Sequence, residues 1–303
     1  MKVISIGEVL WDVIAGKEHL GGAPFNFAAH LTRLGHEVSF ISAVGDDDRG
    51  RRILHAMERM GLSTRYVHTH TKHATGVVNV TLDNAGQPCF VIQRPAAYDF
   101  PVIDESDFDE LLSQPIDWIY FGTLLQTSAT ASEMTREILA SIPTARRFYD
   151  INLRAKSYTP ELVSELMELA TVVKLNDVEV TQISSMLGSA SSSLEKFCRD
   201  YADKFRLDAI CVTRGHKGCS LLLGDEFTEQ PGYHVKVADA VGAGDAFAAA
   251  LLHGLGSKWP AAQTADFANR VGALVASRAG AIPMWTLDEV SALDVQHYRL
   301  ERA

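Results

Sequence analysis

The chain has 303 residues, 47% hydrophobic and 22% charged, which excludes disorder and collagen and allows one large α/β domain or two smaller ones. The formal net charge is -10 and no Lys/Arg cluster is longer than a pair, which argues against nucleic acid and against anionic membranes as partners. The four cysteines, Cys89, Cys198, Cys211 and Cys219, show no CxxC spacing, so free thiols in a reducing cytoplasm are expected rather than zinc or a redox pair.

Val3-Ile4-Ser5-Ile6-Gly7 reads as a first strand, with no secretory signal ahead of it. Leu10 to Leu20 is a candidate for a small separate sheet. Pro24 to Leu34 follows as a helix that Gly35 ends, with the usual Pro-first, Gly-last asymmetry. Val38 to Val44 is β-rich, and Arg49 to Met60 has helical spacing capped by Gly61. His68 and His70 share a face of an expected exposed lid strand, and with His73 read as a solvated face rather than a metal site. From Ala74 to Ile92 the pattern has period two, with a turn at Asp83-Asn84-Ala85-Gly86. Short buried strands follow at Ile116 to Phe121, Arg147 to Ile151, Val172 to Leu175, Ala209 to Thr213 and Tyr233 to Val237. Helices are expected at Ala131 to Ser141, Pro160 to Leu169, Leu194 to Phe205 and Ala246 to Leu255, with Ser189 to Ser193 as a loop. No apolar run is long enough to span a bilayer. The alternation predicts a parallel sheet covered by helices on both faces, with ligands outside the carboxyl ends of the strands.

Two stretches carry chemistry. In Asp239-Ala240-Val241-Gly242-Ala243-Gly244-Asp245-Ala246-Phe247, two glycines open a helix whose free N–H groups favour an anion. It is not a dinucleotide fingerprint, since Phe247 stands at the third glycine, nor a P-loop, since no Lys-Ser/Thr follows. Asp245 would repel a phosphate if it only bound one; a general base for an attacking hydroxyl explains it. Read alone, it serves equally as a charge that favours the helix N-terminus. In Gly21-Gly22-Ala23-Pro24-Phe25-Asn26, Asn26 can donate to and accept from sugar hydroxyls, and Asp12 is a second possible acceptor; a plain turn and a surface loop are the alternatives.

Both stretches resemble the two signatures of the ribokinase/PfkB family of carbohydrate kinases, and the likeness covers nearly the whole chain. Gly45-Asp46-Asp47 with Gly50, Asn176 with Glu179, and Val212-Thr213-Arg214-Gly215 with Gly218 resemble further family patterns. Asp150-Ile151-Asn152-Leu153-Arg154 and Val173-Lys174-Leu175-Asn176-Asp177 are most similar to the fructokinase-type branch. The resemblance implies a three-layer α/β/α ribokinase-like fold with a mostly parallel central sheet. It implies a single domain over residues 1–303, with a small β-sheet lid from insertions at about 10–21 and 74–98. It implies an ATP-dependent sugar kinase acting on a primary hydroxyl, with fructose the leading substrate.

By the same likeness, Asp245 is the base, and Gly242, Ala243 and Gly244 form the anion hole. Asp12, Gly22, Asn26, Tyr98 and Arg154 attend the substrate. Lys174, Thr213 and Gly215 border the nucleotide phosphates, and Asn269, Ala273 and Ser277 lie near adenine. Asn176 and Glu179 organise Mg2+ through water, and Asp239, with carbonyls around Gly280, holds a monovalent cation such as K+. Ala240 replaces the usual Thr beside that loop, and Ala96-Ala97-Tyr98-Asp99 replaces a Gly-Ala-Asn/Asp pattern at the substrate. The acceptor therefore stays open among fructose, 2-keto-3-deoxygluconate, ribose and a nucleoside. The partners implied are a sugar and ATP, with no nucleic acid or membrane and a homodimer through the lid, in the cytoplasm. A sugar or nucleotide sensor and a dinucleotide oxidoreductase are the rival readings.

Overall fold

In a computed structural model, which describes residues 1–82, 88–188 and 192–293, the chain divides into units Met1–Ala145 and Arg146–Ala303. The first unit opens with β1 (Lys2–Ile6), β2 (Leu10–Ile14), β3 (Lys17–Gly21) and α1 (Ala23–Arg33). It continues through β4 (Glu37–Gly45), α2 (Asp48–Met60), β5 (Val67–His70), β6 (Gly76–Leu82) and β7 (Pro88–Ile92). It closes with α3 (Glu105–Ser113), β8 (Trp118–Gly122) and α4 (Ala129–Ser141). β8, β1, β4 and β5 pair in that order, all parallel. Of these, β1, β4 and β8 are near-continuous apolar runs, as strands covered on both faces must be, while β5 at the edge is not. A second sheet has the order β3-β2-β6-β7: the two hairpins are antiparallel, and β2 pairs with β6 in parallel. These strands lie within residues 10–21 and 74–98, the two segments expected to form a small sheet. The turn expected at Asp83 to Gly86 lies outside the described residues, as does the side chain of Cys89.

The second unit contains β9 (Arg146–Asp150), α5 (Pro160–Leu169), β10 (Val172–Asn176), α6 (Asp177–Leu187), α7 (Leu194–Phe205) and β11 (Ala209–Thr213). Then come β12 (Cys219–Leu223), β13 (Glu226–Gln230), α8 (Ala243–Gly256), α9 (Ala261–Ala276) and α10 (Leu287–Ala292). β9, β10 and β11 pair in parallel, and β12 and β13 extend that sheet as an antiparallel hairpin. α7 packs on β11 and β12, while α9 packs on α8, β12 and β13. Cys198, Cys211 and Cys219 are free and buried, and burial pushes the Cys198 thiol up to about 12, which keeps it inert. Most of the loop expected at Ser189 to Ser193 lies outside the described residues; Ser193 caps α7 by accepting from Lys196 N. Among the described residues no helix is long and apolar enough to cross a membrane.

Three expectations need correction. Tyr233 to Val237 forms no strand. Pro231 lacks a donor, and the carbonyls of Gln230 and Pro231 are taken by Asn269 Nδ2 at 3.4 and 3.2 Å. The N–H groups of Ala238 and Asp239 both go to Ala276 O, so this backbone is satisfied by α9 rather than by a ladder. α8 begins at Ala243, three residues before the expected Ala246, which puts Asp245 inside its first turn. His68 and His70 belong to β5, on the edge of the parallel sheet beside β4, and not to the small sheet.

Candidate active site

Gly242 caps α8 in the left-handed region, with φ 77°. A Cβ there would lie 2.4 Å from Ala281 O, so the turn needs both glycine's conformational freedom and its lack of a side chain. Asp239 braces the same turn: Oδ1 accepts from Val241 N at 3.0 Å and Oδ2 from Gly280 N at 3.1 Å. The N–H of Asp245 closes on Gly242 O at 3.1 Å and that of Ala243 on Ala240 O at 3.4 Å. The first turn of α8 therefore presents Gly242 to Gly244 backbone, the positive end of the helix dipole and one half-buried carboxylate.

A second group lies at the ends of β9 and β10. Lys174 Nζ donates to both oxygens of Asp150 at 3.0 Å, and both residues are buried. A methyl group built on Gly244 would lie 3.6 Å from Lys174 Nζ. Burial alone would push the Lys174 ammonium down, but Asp150, Asp245 and Glu179 hold it above the ordinary lysine value. Asn176 caps α6, accepting from Glu179 N at 2.9 Å. Glu179 returns the contact: Oε2 accepts from Asn176 N and Oε1 from Leu153 N, both at 2.8 Å. Burial raises the Glu179 carboxyl despite these donors.

Between β11, the segment after β13, and helices α8 and α9 lies a cavity of about 400 Å³, walled by Thr213, Gly215, Ala240, Gly244, Asn269 and Ala273 among others. Asn176 also reaches it; Ser277 caps the end of α9 and does not line it. Gly218 takes φ 90°, ψ -137°, and a Cβ there would lie 2.0 Å from Gln230 O, which brings the loop after β11 against the cavity's far wall. The cavity is mostly apolar, with Asn176, Thr213 and Asn269 among its polar lining residues.

A family profile described as pfkB family carbohydrate kinase matches residues 4–287. The chain belongs to that family. A fructokinase of Salmonella typhimurium is 29% identical over 300 residues, covering 93% of this chain and 95% of the relative. The aminoimidazole riboside kinase of Salmonella typhimurium is 27% identical over 299 residues, covering 93% and 91%. A solved fructokinase of Xylella fastidiosa with bound ATP superimposes with a TM-score of 0.86 at 25% identity, covering 98% of each chain. The pfkB member described here thus has the ribokinase-like α/β fold and is a sugar kinase, a phosphotransferase with an alcohol acceptor.

The remaining expected site residues of this kinase fall as follows. In the first unit, Asp12 lies on β2, opposite His19 of β3. Gly22 caps α1 at φ 111°, where a Cβ would lie 2.4 Å from Glu8 O. Asn26 is buried in the first turn of α1. Tyr98 is wholly buried in a short turn, its ring against Gly76, and its hydroxyl has no hydrogen-bond partner among the described residues. In the second unit, Arg154 is exposed after β9. Sequence reasoning gave no role to Asp150 or to Glu8, which is buried just after β1. The signal was present in both cases: an acidic residue at or just past the carboxyl end of a strand.

Proposed function

We propose that this kinase transfers the γ-phosphoryl group of ATP to a primary hydroxyl of a sugar, with fructose the leading acceptor and Asp245 the general base. The observation that supports this most is the composition of the first α8 turn. It combines an amide-rich helix start, which favours phosphate, with a carboxylate, which does not, in a turn whose Ala243 and Gly244 line an apolar cavity. A carboxylate kept there has work to do on a proton. Asp245 takes the proton of the acceptor hydroxyl while the Gly242, Ala243 and Gly244 amides steady the charge on the transferring group. Asp12, Gly22, Asn26 and Tyr98 serve the sugar, and Arg154 the phosphates or the acceptor. Thr213 and Gly215 border the nucleotide phosphates, and Asn269, Ala273 and Ser277 the adenine end. Lys174 provides fixed positive charge.

Asn176 and Glu179 fit Mg2+ held through water. They are oxygen donors, and each Glu179 oxygen, having accepted one N–H, keeps a lone pair. The ion would neutralise phosphate charge. The Asp239 loop serves a monovalent cation such as K+. The sheet of β2, β3, β6 and β7 acts as a lid that excludes water, and its edge strands β3 and β7 would pair lids in a homodimer. An ATP-using enzyme with free thiols belongs in the cytoplasm.

The test is a coupled ADP-release assay on Asp245→Ala across fructose, ribose, 2-keto-3-deoxygluconate and nucleosides. Loss of the base is expected to lower kcat by about 10²–10⁴-fold while sugar affinity changes little. Near-normal turnover would sink the proposed base. Turnover of the unaltered chain on a riboside alone would move the substrate to the second relative's class.

A further inference from the structure

Asp150 has no part in the roles above, yet it is 1% exposed and engages a lysine that is 7% exposed. A buried ion pair is poor evidence for stability, because desolvating two charges consumes most of what their attraction returns. Its position is more telling. Asp150 ends β9 and is the registered partner of Lys174 on β10, so the two side chains emerge on the same face of neighbouring parallel strands. That is the carboxyl end of the sheet, where ligands of α/β proteins bind. A lysine has four rotatable carbons and three donors; left alone it would not hold one direction. Here two equal bonds at 3.0 Å to a carboxylate at the end of a buried strand fix the ammonium. The fixed ammonium faces Gly244, and its field reaches Asp245.

We propose that Asp150 is a positioning residue for phosphoryl transfer: it clamps Lys174 so that the ammonium stays beneath the first turn of α8. This rests on reading that turn as the site of the transferring group. Asp150 touches neither sugar nor nucleotide in this scheme; it acts only through Lys174. A mobile lysine would spend part of its time paired to Asp245 or turned away, and the positive charge would not be preorganised when the γ-phosphoryl group becomes loose.

The test is a double-mutant cycle in the full chain, with Asp150→Asn, Lys174→Met and the pair together, read as kcat, KM for sugar and KM for ATP, with thermal melts. Asp150→Asn keeps the shape and one acceptor. It is expected to lower kcat about 10–100-fold with sugar KM within twofold, since misplacing a group near the reacting atoms acts on the transition state. Asp150→Glu, which restores the charge, is expected to recover part of kcat. In the Lys174→Met background, Asp150→Asn is expected to cost nothing further in kcat. The double variant removes both charges and is therefore expected to fold even if Lys174→Met alone, which strands a buried carboxylate, does not. In that event the double variant should turn over no faster than Asp150→Asn.

Equal fractional losses from Asp150→Asn in both backgrounds would overturn the clamp, as would a double variant faster than Asp150→Asn. A normal kcat in Asp150→Asn, or a loss confined to melting temperature, would overturn it as well. Asp245→Ala separates this from the parent reading. If that variant is inactive while the cycle is additive, the base stands and the clamp falls. If it is active, the base falls whatever the cycle shows.

Discussion

Gly242→Ala tests whether the α8 turn is as tightly set as its geometry implies. Two costs can be separated. The first is conformational: an L-residue at φ 77° is disfavoured by roughly 1–2 kcal/mol. The second is steric. The new Cβ would lie 2.4 Å from Ala281 O and 2.6 Å from Ala281 Cα, so the turn must open by about 1 Å to reach ordinary contact. Overpacking of that kind costs about 1–3 kcal/mol, and a 1 Å displacement at a reacting site costs about 10²-fold in rate, or about 2.7 kcal/mol of barrier. Gly61→Ala is the control: it has φ 72°, with nothing within 4 Å of a Cβ. Gly61→Ala should therefore lose only the first cost in stability and none of the rate. Denaturant melts with coupled ADP-release kinetics on both variants give the comparison. Equal stability losses with kcat unchanged in Gly242→Ala would refute the reasoning, because the turn would then have room to spare.

Tyr98→Phe is expected to leave thermal stability unchanged or raise it by roughly 1 kcal/mol, because the hydroxyl removed is buried and has no hydrogen-bond partner among the described residues. If that hydroxyl serves the acceptor, sugar KM rises several-fold in the same variant; a fall in melting temperature would show that it already has a partner. Asp47→Ala probes the start of α2, where Asp47 accepts from Gly50 N, Thr75 N and Thr75 Oγ1. Burial raises its carboxyl, but these Thr75 and Gly50 bonds outweigh it and leave Asp47 below the ordinary aspartate value. The carboxylate's contribution, about 1 kcal/mol as for other N-caps, should be fully present above about pH 4 and lost as pH falls through the lowered folded value. Chemical melts of both proteins along a pH series check this; a stability gap that widens on acidification would contradict it.

Local pattern made most of the frame legible. α5 and α7 run over the residues their periodicity indicates, because each is set by a capping hydroxyl, Thr159 or Ser193, and an apolar face, and β11 does so because it is a short continuous apolar run. The failures occur where long-range bonds decide. Tyr233 to Val237 looks like a strand by propensity, but its flanking backbone is captured by Asn269 and by Ala276 O on α9, which no local window reveals. The β5 histidines alternate like a lid strand, but β5 pairs with β4. The turn that places Gly242 at the cap of α8 and Asp245 in its first turn is legible locally, because a glycine turn before a helix is a local pattern. The Asp150–Lys174 pair is not, because it exists only through the register of β9 against β10.

The charge arithmetic of the site bears on the proposed cofactor. The chain carries a net -10, so its overall field repels ATP. Lys174 does not reverse that locally. Three carboxylates act on it, those of Asp150, Asp245 and Glu179, so one positive charge faces as many as three negative ones. The dipole of α8 adds only about half a charge. A nucleotide triphosphate brought to such a place needs cationic charge that these groups do not supply. A lysine bound to a carboxylate is then better understood as a fixed director of charge than as the main attractor of phosphate. In the function proposed above, Mg2+ would supply that charge.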